Sequence, residues 1–313
     1  MPHDDFTPVA LIPSLEPLLH RPRWWIAYSG GVDSHVLLHA VAVLRTHVAL
    51  PPLTAVHINH QINPHATDWA ARCTAVCAAL GIDCVIESVR VDAAGIGLEA
   101  AARNARYTAF ERHMGAGEIL LQGHHADDQV ETLLLRLLRG SGLAGLASIP
   151  RQRPLGRGEL LRPLLAYSRG QLLDYARAQG LQWIHDDSND DPALDRNFLR
   201  LRVLPLLAER WPAYRDTLRR VVDNAADGRA AIDEVAAADH AVVADGDTLC
   251  IDRCTRLGAA RQRSLIVHWL AHQGLPGPSS AQLAQVLDIF EAGEDAEPCV
   301  SWPGVEIHRF RGA

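Results

Sequence analysis

From Trp24 to Arg139 the chain alternates short, nearly continuous apolar runs with longer runs whose apolar residues recur at helical spacing. WWIAYS, Trp24–Ser29, reads as a strand and Ser34–Val48 as a helix; LTAVHINH, from Leu53, is a second strand and Thr67–Leu80 a second helix. DCVIESVRV, from Asp83, is a third strand, and Leu98–Met114, rich in Glu, Arg and Ala, a third helix. EILLQGH, from Glu118, and Asp127–Arg139 complete a fourth pair. Apolar strands joined through helices predict an α/β fold with a parallel sheet covered by helices on both faces. Ligands of such sheets bind beyond the C-terminal strand ends, at the point where the strand order reverses.

A length of 313 residues exceeds what one core usually fills, so two domains are expected. The N-terminus carries acids and prolines where a signal peptide has a basic flank and an apolar run, and no stretch is long enough to span a membrane, which predicts a cytoplasmic protein. Six cysteines occur without a Cys-x-x-Cys pair and read as buried small side chains. All 30 basic residues are arginine, so a Walker A loop, which needs lysine, is excluded. The net charge of −7 argues against nucleic acid, but its distribution suits either a nucleic-acid partner or solvated helix faces. Residues 132–169 hold 7 Arg against one acid and residues 196–220 hold 7 against two, inside an otherwise acidic chain.

The string SGGVDS, Ser29–Ser34, falls between the first strand and its helix. Gly30 and Gly31 allow close backbone approach, and the helix behind them directs free N–H groups and a positive dipole end outward. That is a phosphate cradle. Ser29 and Ser34 add hydroxyls, and Asp33 adds a carboxylate suited to Mg²⁺ beside phosphate oxygens. Asp33 also reads as a helix cap behind a glycine turn. In EAAARNARY, Glu99, Arg103, Arg106 and Tyr107 share one helical face, which suits either a phosphate clamp or an exposed salt-bridged helix. In GHHADDQVETLLLRLLRGSGLAGL, the residues His124, His125, Asp127, Asp128 and Glu131 gather at the ligand edge, and Asp128 and Glu131 share a face able to hold a metal or an ammonium. A closed zinc site lacks its third and fourth ligands.

SGGVDS directly after the first strand resembles the pyrophosphate loop of the N-type ATP pyrophosphatases. With AVHINH, EAAARNARY, the GHHADDQ stretch, RPLL and WIHDDSNDDPALDRNFLRLRVLP in this order, the chain resembles the tRNA(Ile)-lysidine synthases between Ile26 and Pro205. The resemblance implies an adenine nucleotide alpha hydrolase-like (PP-loop) catalytic domain over 1–213 and a smaller, mainly helical tRNA-binding domain over 214–313. It implies a ligase that adenylates the wobble cytidine of the CAU-anticodon isoleucine tRNA with ATP and attaches L-lysine. Carried over residue by residue, it gives Ser29, Gly30, Gly31, Val32, Asp33 and Ser34 to ATP and Mg²⁺, with Arg103, Arg106 and His124 in support and Asp33 as metal ligand. His57 and Asn59 would lie near the adenosine through their backbone. Asp128 and Glu131 would grip lysine, and Arg196, Asn197 and Arg200 would stand beside the activated cytidine. His185 departs from the acid that the family commonly places there, and many members continue into a further C-terminal domain. A homodimer stays open as a partner. The rival readings are a tRNA sulfurtransferase, an NAD synthetase-like ligase and a non-catalytic RNA-binding protein.

Overall fold

Alternation along the first strand sets the two layers of the molecule: Trp24 and Ile26 face one side of the sheet and Trp25 the other. The computed structural model describes residues 5–92, 95, 97–293 and 298–310. The chain divides into two units, residues 1–222 and 223–313.

The first unit follows the predicted alternation. Strands β1 (Trp24–Ala27), β2 (Leu53–Asn59), β3 (Asp83–Ser88) and β4 (Ile119–Leu121) alternate with helices α1 (Val32–Leu44), α2 (Ala66–Ala79), α3 (Leu98–His113) and α4 (Ala126–Leu138). Two further strands, β5 (Gln152–Leu155) and β6 (Gly158–Leu161), close a sheet of order β3-β2-β1-β4-β6-β5. All neighbours are parallel except β5, which pairs antiparallel with β6. The expected parallel sheet is present and gains an antiparallel edge strand that was not anticipated, because a two-residue turn can only join antiparallel strands. The fourth strand keeps only three residues: Gln122–His124 leave the ladder and form the connection to α4.

α1 is apolar on nearly every side, and Val36, Leu37, Leu38 and Val41 are fully buried. A helix of that kind must be enclosed. It lies against the sheet face formed by Trp24, Ile26, Ile119 and Leu121, with α5 (Arg169–Ala178) packed over it through Leu172 and Ala176. The other face, Trp25, Val56, Ile58, Leu120 and Leu160, is covered by Ala109, Phe110 and Met114 at the end of α3. Beyond α5 come α6 (Asp195–Phe198), a π-helical turn over Leu199–Val203, and α7 (Leu204–Arg210). Helix α8 (Tyr214–Val243) contributes to both units.

The second unit has its own core of Val243, Leu265, Ile266, Leu270, Val286 and Ile289. It comprises α9 (Ala259–His272), α10 (Ser280–Glu291) and a hairpin of β7 (Cys299–Trp302) with β8 (Val305–His308). Among the described residues no helix is long and apolar enough to cross a membrane.

Candidate active site

The strand order reverses between β1 and β4, so the loops leaving these two strands flank one crevice. Their approach is close. A Cβ on Gly123 would lie 3.0 Å from the Asp33 carbonyl oxygen and 3.2 Å from the Ser34 nitrogen, so a side chain there would push the two loops apart by a few tenths of an ångström.

Gly30 has φ +88°, a conformation that favours glycine. A Cβ there would meet Ile184 Cδ1 at 2.4 Å and Cys73 Sγ at 3.0 Å, and the Ile184 N–H donates to the Gly30 carbonyl at 2.9 Å. Gly30→Ala therefore loses about 1–3 kcal/mol to backbone strain before any collision is counted. Urea unfolding checks this, and a stability equal to wild type would show that the loop has a second conformation available.

Ser34 Oγ donates to the Gly31 carbonyl at 2.9 Å and accepts from the Ser29 N–H at 3.2 Å, which holds the loop in shape. Gly31 caps α1 without a side-chain bond, so the N–H groups of the first turn, including that of the buried Val32, keep their affinity for an anion. Asp33 stands in that first turn with Oδ1 buried and without a hydrogen-bond partner. Its other oxygen is 3.6 Å from His125 Nε2.

His125 caps α4. Its Nδ1 accepts the Asp128 N–H at 3.3 Å, and its own N–H donates to Asp128 Oδ2 at 3.0 Å. Nε2 then faces the carboxylates of Asp33 and Asp128, each at 3.6 Å. Burial pulls the His125 pKa down, but the carboxylates outweigh it and the net shift is upward. Burial would raise Asp128, yet the two histidines and Arg196 hold it below the ordinary carboxylate range.

His124 is governed by arginine instead. Arg162, buried, donates from Nε to His124 Nδ1 at 3.1 Å and from Nη2 to the Tyr107 hydroxyl at 3.3 Å. Guanidinium only donates, so Nδ1 is an acceptor and the neutral ring carries its proton on Nε2. Burial and the surrounding arginines push His124 down to about 3 against the opposing pull of Asp128. The Tyr107 ring gathers further cations: the Cζ atoms of Arg153, Arg103 and Arg106 lie 4.7, 5.1 and 6.0 Å from its centroid. Arg106 Nε is buried without a partner, and burial with Arg103 and Arg196 nearby lowers its pKa.

Glu131 is 0% exposed and lies between two guanidiniums: Arg196 Nε meets Oε2 and Arg200 Nε meets Oε1, both at 2.7 Å. Arg196 also reaches Asp128 Oδ1 at 3.4 Å and Thr132 Oγ1 at 3.2 Å. Asn197 holds the DDSNDD turn through the carbonyls of Ser188 and Asp191. His57 Nδ1 lies 2.9 Å from the Tyr28 carbonyl, and the Asn59 side-chain oxygen accepts from the Gln61 N–H at 2.9 Å, so both side chains serve the fold. His185 pairs with Asp190 at 2.8 Å.

The predicted loop, the arginine face of α3 and the acidic face of α4 thus meet at one crevice. His125 as the link between Asp33 and Asp128, and Arg162 as the residue that sets the His124 tautomer, were not singled out from sequence. His125 had been placed at the ligand edge without that role, and Arg162 was covered only by the RPLL motif.

This fold and loop define a PP-loop protein: the family model described as PP-loop domain matches residues 10–207. The model described as TilS substrate binding domain matches residues 249–313. The tRNA(Ile)-lysidine synthase of Alkalilimnicola ehrlichii is 46% identical, covering 99% of this chain and 70% of its own length. That of Pseudomonas putida is 44% identical, over 91% of this chain and 68% of its own. The chain belongs to the tRNA(Ile)-lysidine synthase family. Among solved structures, the U34-tRNA thiolase NcsA from Methanococcus maripaludis superposes with a TM-score of 0.58 at 17% identity, covering 69% of this chain and 76% of that one, which shows a shared fold.

Proposed function

We propose that this protein is a cytoplasmic ligase that joins L-lysine to the C2 position of the wobble cytidine in the CAU-anticodon isoleucine tRNA, converting ATP to AMP and pyrophosphate. The observation that carries the reading is the convergence of Asp33, His125, Asp128 and Arg196 beside the loop after β1. Family membership supports the same activity.

In the first step the cytosine 2-oxygen attacks the α-phosphate and pyrophosphate leaves. The N-terminus of α1 and the serine hydroxyls hold the phosphates, and Arg103 and Arg106 offset the charge that develops on the leaving group. Among the described residues no group of three or more His, Cys, Asp or Glu is arranged to hold a metal, so the ion that fits is one bound mainly through phosphate oxygens and one carboxylate. Asp33, with its unpartnered Oδ1, suits that role. Mg²⁺ bound there supplies charge neutralisation on the triphosphate. His124, neutral and protonated on Nε2, is a donor to an oxygen of the adenylated base.

In the second step the ε-amine of lysine displaces AMP. Glu131 is sealed between two guanidiniums at 2.7 Å, whereas Asp128, 13% exposed at its side chain, meets Arg196 only at 3.4 Å and is the carboxylate assigned to the α-ammonium of lysine, leaving the ε-amine neutral to attack. Glu131 acts through Arg196 and Arg200, which it holds in place. The wobble base is unstacked into the crevice, at low cost in a single-stranded loop.

Nucleoside mass spectrometry of the tRNA incubated with ATP and lysine tests the reading: lysidine at the wobble position is expected, and sulfur incorporation or an unmodified tRNA overturns it. A transcript with uridine at that position is expected to stay unmodified, because the pocket reads the base while backbone contacts only position the loop.

The arginine blocks predict steeply salt-dependent tRNA affinity, with a log–log slope of about −0.7 to −0.9 for each phosphate neutralised. Arg139, 68% exposed and paired with the exposed Asp195 at 3.3 Å, is a contact of this kind. Arg139→Ala is expected to make the slope shallower by about one unit, measured by filter binding across a salt series. An affinity indifferent to salt would remove the blocks from the interface.

A further inference from the structure

A cavity of about 250 Å³ opens between α4, α5, α7 and the start of α8, lined among others by Asp127, Glu131, Arg169, Arg200, Tyr214 and Arg215. It shares only Glu131 and Arg200 with the candidate active site. Both of its carboxylates are satisfied. Asp127 accepts the Arg169 N–H at 2.8 Å and Arg215 Nε at 2.6 Å, and Glu131 is enclosed by Arg196 and Arg200. The hydrogen-bonding capacity that remains belongs to donors. Arg169 has no carboxylate partner for its guanidinium among the described residues. Tyr214 is 5% exposed, lines the cavity, and has a buried hydroxyl with no hydrogen-bond partner among the described residues. A buried unpaired hydroxyl is costly to folding and marks a group awaiting an acceptor. Three arginines against two carboxylates leave the lining one positive charge in excess. Gly170, in the first turn of the ten-residue α5, also lines the cavity, between N–H groups already capped by Asp127 and Ser168. Burial raises the Tyr214 pKa, which keeps the hydroxyl a neutral donor.

A ligand for such a cavity must accept hydrogen bonds and carry negative charge. The two basic blocks of the sequence converge here, the first ending at Arg169 and the second supplying Arg200 and Arg215. We infer that this cavity is a second phosphate site, distinct from the loop after β1, and that it takes one phosphodiester of the bound tRNA through Arg169 and the Tyr214 hydroxyl. The inference rests on the proposed tRNA reading for the source of the phosphate, and on the lining alone for the chemistry.

Inorganic phosphate titrated into the full chain by calorimetry, with ATP present to fill the loop after β1, tests the chemistry. Tyr214→Phe removes only an unpartnered hydroxyl, so the variant is expected to resist urea at least as well as wild type while binding phosphate about ten-fold more weakly. A merely structural tyrosine would not separate those two readings. Arg169→Ala is expected to weaken phosphate by a similar factor and Arg169→Lys to restore part of it. Phosphate affinity unchanged in both Tyr214→Phe and Arg169→Ala overturns the site. Filter binding then identifies the source: phosphate is expected to compete with tRNA, and Arg169→Ala to reduce the tRNA salt slope by about 0.7–0.9. Independent binding of phosphate and tRNA overturns the phosphodiester assignment in favour of free phosphate. Lysidine formation by wild type is measured alongside. Its absence strikes the proposed function, whereas its presence together with unaltered phosphate binding by the variants strikes this inference alone.

Discussion

Asp33→Asn is expected to fold normally and to lose tRNA-dependent pyrophosphate release by about a thousand-fold. The substitution keeps the shape of a side chain whose Oδ1 has no partner to lose and whose other oxygen is only 3.6 Å from His125. Stability in urea should fall by about 1–2 kcal/mol, because the buried His125 loses one of the two carboxylates that face it but keeps Asp128. The loop amides and serines still contact nucleotide, so binding weakens without vanishing. The adenylation step is different, because charge builds on the leaving pyrophosphate and a carboxylate-held cation is worth most there. Release assays at saturating ATP measure the loss. Undiminished release would place the essential carboxylate elsewhere, with Asp128 as the next candidate.

Strands β1 and β2, helices α1 to α4 and the loop between β1 and α1 were legible because each is a local pattern: an apolar run, a helical repeat, a glycine pair before a helix. The β5–β6 hairpin was not, since QRPLGRGELL carries Pro154, Gly156 and Gly158 where a strand should carry apolar residues. Its register depends on pairing with β4, which no local pattern records. The candidate site divides the same way. Gly30, Asp33, Asp128 and Arg103 came from short motifs, but Glu131 finds its arginines 65 and 69 residues downstream. Sequence spacing made Asp128 and Glu131 look like twins on one helix face; burial separates them, one partly open to the crevice and the other sealed between cations. His125 was placed at the ligand edge, but its capping role was not legible, because histidine is not among the usual helix caps and its bond to Asp128 belongs to the turn geometry.

Glu131→Ala is expected to cost about 3–5 kcal/mol of stability, since it leaves Arg196 and Arg200 facing each other without the charge that joins them. Glu131→Gln keeps the volume and should lose less, while still loosening both guanidiniums. Urea unfolding of the two variants gives the ranking. A loss below about 1 kcal/mol for the alanine variant would mean that the arginines find other partners, and Glu131 would return as a candidate for the lysine ammonium. Asp128→Asn provides the contrast: it should raise the lysine requirement with tRNA affinity nearly unchanged.

The contact between Gly30 and Ile184 has a thermodynamic consequence. The segment that begins at Ile184 continues through the DDSNDD turn to Arg196, so the strip of chain that packs on the loop after β1 also carries a guanidinium that pairs with the acidic helix α4. Ordering either end restricts the other. A nucleotide that stiffens the loop lowers the conformational entropy still to be lost when RNA settles on the arm, and linkage requires the same factor in reverse, tRNA tightening ATP as much as ATP tightens tRNA. The expected sign of that linkage is an ATP affinity that rises when tRNA is present, and equal ATP binding with and without tRNA would show that the two ends of the strip are independent.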